Sequence, residues 1–324
     1  GFGELVLGHR APAFDPGNVK PEEGRWRNRA LIAEVPGSVF KTVIAAAALD
    51  AGATRPGERF VCTGRHERGR IRCHVHQGHG LITLEEAYAQ SCNTVFAELA
   101  LRLGRRQLEQ AAARFGIGRP AGWRTDELRT PLAALRNFAQ LDGEEACHLF
   151  APGDLPDDPA ILAQSAIGQH SVRITPLQAA QWTAAVAAGG GSLPSPRAVS
   201  RILWSNGRTM VAFPEQTIPG TFLSGRSARW LKSAMAVTAT HGTASRLAGV
   251  PGGAGGKTGT AQTGRDGLVH QWFTGFYPQE NPRYAVAVLA RNRPENSANA
   301  AVETAERLFR SLSRPLEESG NRVL

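Results

Sequence analysis

The order of apolar patterns along these 324 residues predicts an α+β fold: an antiparallel sheet covered by helices on both faces, with a mainly helical subdomain inserted. Three observations point that way. An Ala-rich helical run, Val43 to Leu49, follows a Pro36-Gly37 break. Strand-like stretches fall near 256–263, 270–277 and 283–291, and the last two are joined by a Pro278-Gln279-Glu280-Asn281-Pro282 turn. A long, mostly helical segment separates these two regions. We therefore expect an α/β part made of 1–52 and 166–324, and a helical insert at 53–165.

Taken in order, residues 1–15 read as a short strand followed by an Ala-Pro-Ala-Phe-Asp-Pro-Gly turn cluster. A polar loop over 16–36 leads to the Ala-rich helix, with Gly52 as its stop. Residues 53–82 read as loop, rich in Arg, His and Gly. Residues 83–118 read as helix, from apolar positions at Leu84, Ala87, Val95, Leu99 and Leu103, interrupted at Gly104 and Gly116. Residues 119–160 read as irregular. Thr175-Pro176 opens a helix to Ala188, closed by Gly189-Gly190-Gly191. Residues 197–213 alternate and turn at Asn206-Gly207 as a hairpin does. Ser224 to Thr240 and Asn296 to Leu312 complete the helices.

The composition, 42% hydrophobic and 20% charged, is that of a globular protein with a sizeable core. No apolar run approaches the length of a membrane span. The net charge of +9 comes mostly from scattered Arg, and no basic run is interleaved with aromatics, so nucleic acid is not an expected partner. The chain opens inside a strand pattern with no signal-peptide pattern, as a trimmed fragment would.

Three short motifs carry chemistry. Ser38 sits on the first turn of a helix, and Lys41 is one turn on along the same face. Lys20, Lys41, Lys232 and Lys257 are the only lysines in an Arg-rich chain. A lysine, unlike an arginine, can lose its proton when desolvated and serve as a base. Ser91-Cys92-Asn93 offers a hydroxyl and an amide on one side. Gly255-Gly256-Lys257-Thr258-Gly259-Thr260 reads as an exposed strand edge able to take an extended peptide. It is not a phosphate loop, since Pro251 stands where the first glycine of that motif belongs. Taken singly, each has a plainer reading: an N-cap with a solvated lysine, a helix cap, and a turn running into a strand.

Together and in this order, Ser-x-x-Lys, Ser-x-Asn and Lys-Thr-Gly form the set of penicillin-binding proteins and class A β-lactamases. The chain resembles the transpeptidase domain of the penicillin-binding proteins, closest to the monofunctional class B branch. Phe14-Asp15-Pro16-Gly17-Asn18, Asn28-Arg29-Ala30, Ile167-Gly168-Gln169 and Thr175-Pro176-Leu177-Gln178 extend the likeness over the whole chain. One departure is His170, where relatives carry Gly.

The resemblance implies a peptidoglycan D,D-transpeptidase. In it, Ser38 attacks the D-Ala-D-Ala bond of a stem peptide and Lys41 is the base. Ser91 and Asn93 relay protons and hold the substrate amide. Lys257 engages the terminal carboxylate with Thr258, on the Gly259-backed edge. The Ser38 and Thr260 N–H groups form the oxyanion hole. It also implies β-lactams as ligands, membrane-bound cell-wall synthesis proteins as partners, an extracytoplasmic location and an N-terminal anchor. No cofactor is expected for catalysis. A β-lactamase or D,D-carboxypeptidase, and a non-catalytic β-lactam sensor, are the alternatives.

Cys62-x10-Cys73-x5-His79-x12-Cys92 supplies three thiols and an imidazole, a ligand set for structural zinc. Some class B relatives resemble this in placing a metal beside the Ser-x-Asn turn. A Cys73–Cys92 or Cys62–Cys73 disulfide, or unlinked thiols, are the other readings. Cys147 lies apart, and His74 and His76 read as exposed loop residues.

Overall fold

The computed structural model describes residues 27–125, 138–155 and 157–314; the expected strand and turn at 1–15 lie outside them. A 3₁₀ turn, Gly37–Phe40, runs straight into α1 (Lys41–Asp50). Lys41 through Ala48 are all buried, so α1 has no solvent face. Its alanines let α3 and α6, defined below, pack against it. Gly52 ends it with a φ of 69°.

Residues 53–82 differ from the expected loop. They fold as β1 (Arg59–Cys62), β2 (Arg65–His66), β3 (Ile71–Arg72) and β4 (Gly80–Thr83). β1 pairs antiparallel with β4, and β2 with β3. The strands are too short for alternation to stand out among Arg, His and Gly. Helix α2 (Leu84–Ala89) begins with a Thr83–Glu86 capping box. The chain breaks at 90–92 before α3 (Asn93–Arg114), a break the apolar spacing does not signal. Gly104 kinks α3.

The strand pair β5 (Arg124–Thr125) and β6 (Phe138–Ala139) follows, then α4 (Pro159–Ala166) and α5 (Pro176–Ala187). Thr175 caps α5, and Pro176 occupies its first position. His170 takes a φ of 58°, a left-handed conformation that glycine adopts more readily than histidine. β7 (Gly191–Pro194) pairs with β10 (Thr217–Leu223), enclosing the hairpin β8 (Arg201–Leu203) and β9 (Thr209–Ala212). α6 (Gly225–His241) then leads into β11 (Gly255–Gln262), β12 (Leu268–Tyr277), β13 (Tyr284–Pro294) and α7 (Ala300–Leu312). The last helix starts later than expected because Asn299 caps it, accepting from the N–H groups of Ala301 and Val302.

The sheet order β11-β12-β13 is antiparallel throughout, with β11 at an edge. Alternation along β12 and β13 separates two cores. Trp272, Phe276, Ala287 and Leu289 belong to the cluster containing α1, α3, α5 and α6. Phe273, Tyr277, Val286 and Val288 pack with Ala301, Val302, Ala305 and Phe309 of α7. Helices thus cover both faces, as the α+β reading requires. Among the described residues no helix is long and apolar enough to cross a membrane.

Candidate active site

Residues 34–38 are wedged in backbone to backbone. Gly37, at a φ of 57°, lies so close to β11 that a Cβ would sit 2.3 Å from the Thr260 carbonyl oxygen. Its N–H donates to Gly168 O at 2.9 Å, and Gly168 in turn has no room for a Cβ beside Gly37 O. Upstream, β12 grips the same segment. Trp272 Nε1 donates to Val35 O at 2.9 Å, and His270 Nε2 lies 3.2 Å from the Glu34 carboxylate, which also pairs with Arg291 at 2.8 Å. The half-buried Ser38 is therefore held against the sheet edge by elements far apart in sequence.

Lys41 and Lys257 are both fully buried. Lys41 Nζ donates to Ser91 O and Asn93 Oδ1, each at 2.7 Å, and to Ser91 Oγ at 3.3 Å. Lys257 Nζ donates to the same Ser91 Oγ at 2.9 Å and to Thr258 O at 3.0 Å. One hydroxyl is thus shared by two amines whose bases come from different ends of the chain. Burial lowers Lys41 from its ordinary value to about 7, against the opposing pull of negative charge on the Cys92 and Cys73 sulfurs. Burial, and then the charge of Lys41, hold Lys257 well below the lysine range. Both shifts act in the same direction, so an uncharged amine is accessible near neutral pH. Phe96 lies 5.5 Å from Lys41 Nζ, and Tyr88 lies 5.6 Å from Lys257 Nζ. These rings displace the water that would otherwise hold both amines charged.

Ser91 adopts a φ of 57°, a costly conformation for serine. Asn93 does not act as a cap: Cys92 is the N-cap of α3, and the Asn93 amide bridges Lys41 and, through Nδ2 at 3.0 Å, the Arg72 carbonyl. Thr258, Gly259 and Thr260 lie on β11, an edge strand of the sheet, but the expected exposure holds only at Thr260: Gly255 through Gly259 are buried, with Gly259 packed against Pro36 and Val39. Thr260 O accepts from Gln169 Nε2 at 3.4 Å, so it points away from β12. In an antiparallel strand the N–H of that residue points the same way, toward the Ser38 segment.

Sequence reasoning missed Thr243, whose Oγ1 lies 2.5 Å from Thr258 Oγ1. The signal was His241-Gly242-Thr243 at the end of α6, where Gly242 permits contact with the Ala89 carbonyl. It also missed Tyr88 and Phe96, whose role depends on tertiary packing alone.

Cys62, Cys73, His79 and Cys92 converge, their ligand atoms all within 4.8 Å of one another. The considered disulfides are not formed: all four cysteines, including the separate Cys147, are free. Cys73 Sγ lies 3.9 Å from Cys92 Sγ and 3.5 Å from His79 Nδ1. Ligands of a tetrahedral zinc would be about 3.8 Å (S to S) and 3.5 Å (S to N) apart, given its usual bond lengths. His79 Nε2 is buried with no partner among the described residues. The Cys92 hydrogen bond lowers the Cys73 thiol and raises Cys92. His74 and His76 are exposed. Burial pushes Cys147 up to about 12.

The chain belongs to the penicillin-binding protein family: residues 3–313 match the penicillin binding protein transpeptidase domain. It is 28% identical over 325 residues to peptidoglycan D,D-transpeptidase PbpA of Mycobacterium tuberculosis, covering 90% of this chain and 60% of that protein. It is 31% identical over 304 residues to stage V sporulation protein D of Bacillus subtilis, covering 90% of this chain and 44% of that one. The penicillin G acyl-enzyme of penicillin-binding protein A from M. tuberculosis superposes with a TM-score of 0.73 at 25% identity, covering 93% of this chain and 70% of that one. The D,D-transpeptidase domain of a peptidoglycan glycosyltransferase from Eggerthella lenta also gives 0.73 at 25% identity, covering 90% and 68%. The chain therefore spans less than two thirds of the length of these two sequence relatives.

Proposed function

We propose that this chain is the D,D-transpeptidase unit of a cell-wall synthesis protein. The observation that carries the reading is the pair of buried amines meeting at Ser91 Oγ beside the Ser38 turn. Ser38 Oγ attacks the carbonyl between two terminal D-alanines of a stem peptide. Its proton passes to the uncharged Lys41 amine. The N–H groups of Ser38 and Thr260 receive the developing oxyanion, the largest single source of rate in such reactions. Ser91, between the two lysines, returns a proton to the departing D-alanine nitrogen. Lys257 and Thr258 hold the terminal carboxylate, and Asn93 orients the amide. A second amine then takes the acyl group from Ser38.

The extracytoplasmic location, the anchor, the membrane-bound partners and the division into 1–52 with 166–324 and an inserted 53–165 belong to the same proposal. Intact mass after benzylpenicillin tests it. A stable adduct on the protein, absent in Ser38→Ala, is expected, together with D-alanine release and amine transfer from a D-Ala-D-Ala peptide. Rapid loss of the adduct indicates a hydrolase, and no adduct overturns the reading.

The Cys62, Cys73, His79 and Cys92 set fits a structural zinc, which would supply a cross-link between the β1–β4 segment and the Ser91 turn and no catalytic chemistry. Metal analysis with and without reductant tests this. Stoichiometric zinc is expected, and metal-free protein with a reducible bond would refute it.

A further inference from the structure

The β2–β3 hairpin sets Arg65 directly opposite Arg72. Side chains so placed share one face, and like charges there destabilise the pair. Both are exposed, whereas Ile71 on the other face is buried against Ala97 and Ala163. Among the described residues neither arginine has an ion pair. The nearby acids are committed elsewhere: Glu98 to His66 and Arg102, and Glu58 to Arg102. Glu67, in the turn beyond, pairs with neither. The Arg72 carbonyl receives the Asn93 amide at 3.0 Å, so the hairpin stands on the Asn93 wall of the site. Cys73, the next residue, is buried and lies in the sulfur cluster.

From this we infer that Arg65 and Arg72 form a subsite for a side-chain carboxylate of the peptide substrate, upstream of the bond that Ser38 attacks. Two guanidinium forks offer parallel N–H donors to one carboxylate, and binding it relieves their mutual repulsion. The inference rests on the proposed transpeptidase reading and adds a substrate class to it: peptides bearing a free acid rather than its amide.

The test uses two acyl-donor peptides ending in D-Ala-D-Ala that differ in one upstream side chain, carboxylate in one and carboxamide in the other. At low salt the free acid should show kcat/KM about fivefold higher, the scale of two exposed ion pairs. The ratio should shrink in about 0.5 M NaCl, where screening is strong. Arg65→Gln should bring it near one, and Arg65→Glu should invert it. A ratio of one in the wild-type protein, or one unmoved by either substitution, overturns the inference. Benzylpenicillin labelling of the same wild-type protein keeps the two claims apart: labelling without preference removes the subsite alone, and no labelling removes the function beneath it.

Discussion

Lys41→Met should stabilise the protein while silencing it. Burial takes Lys41 from 10.5 to about 7, and at about 1.36 kcal/mol per unit this costs the fold about 5 kcal/mol. In the unfolded chain the amine stays protonated up to its ordinary value, whereas the folded chain gives up that proton above about 7. Between those two values the unfolded state binds more protons, so stability rises with pH. At pH 7 nearly all of the cost remains. Methionine, of similar length, removes it. The substitution also forfeits three hydrogen bonds to Ser91 and Asn93, each worth about 1 kcal/mol. The balance is a gain of about 1–2 kcal/mol, or a Tm higher by a few degrees. Loss of the base should cut acylation by about 10³-fold. Thermal melting at pH 7 and the second-order rate of penicillin acylation measure the two effects. Acylation at the wild-type rate would sink the base assignment. Lost acylation with a Tm several degrees lower would refute the reasoning, because Lys41 would then be a strut for the Ser91 turn.

Two further outcomes are expected. The acylation rate should rise about tenfold per pH unit below about 7 and level off above it, as the Lys41 amine loses its proton; a flat profile from pH 5 to 8 would exclude that amine as base. Gly37→Ala places a methyl 2.3 Å from Thr260 O at a positive φ, and should cost about 2 kcal/mol or more together with most acylation; wild-type melting and labelling would show that the Ser38 segment is not wedged as described.

The long sheet strands and most helices were legible from alternation, caps and breaks, because those signals are local. The meeting of distant segments was not. Lys41 and Ser91 are 50 residues apart, and Ser91 and Lys257 are 166 apart. No spacing rule joins them, and only the ordered motif set suggested one cleft. Thr243 escaped notice because a threonine after a helix end looks like any turn residue. The strands in 53–82 escaped because pieces of two to four residues are stabilised by what they pack on, not by their own pattern. Tyr88 and Phe96 carry no sequence mark of their proximity to the amines.

The outer edge of β11 carries the main-chain groups of Thr258 and Thr260. Under the proposed activity, such a rail measures only the interval between a reactive carbonyl and an anion further along. Natural chains with many different substituents can be laid along it. So can a compact, rigid counterfeit that keeps the same interval. Versatility toward real substrates and exposure to chemical mimicry are then one property of this edge. Selectivity must be written on the flanking walls.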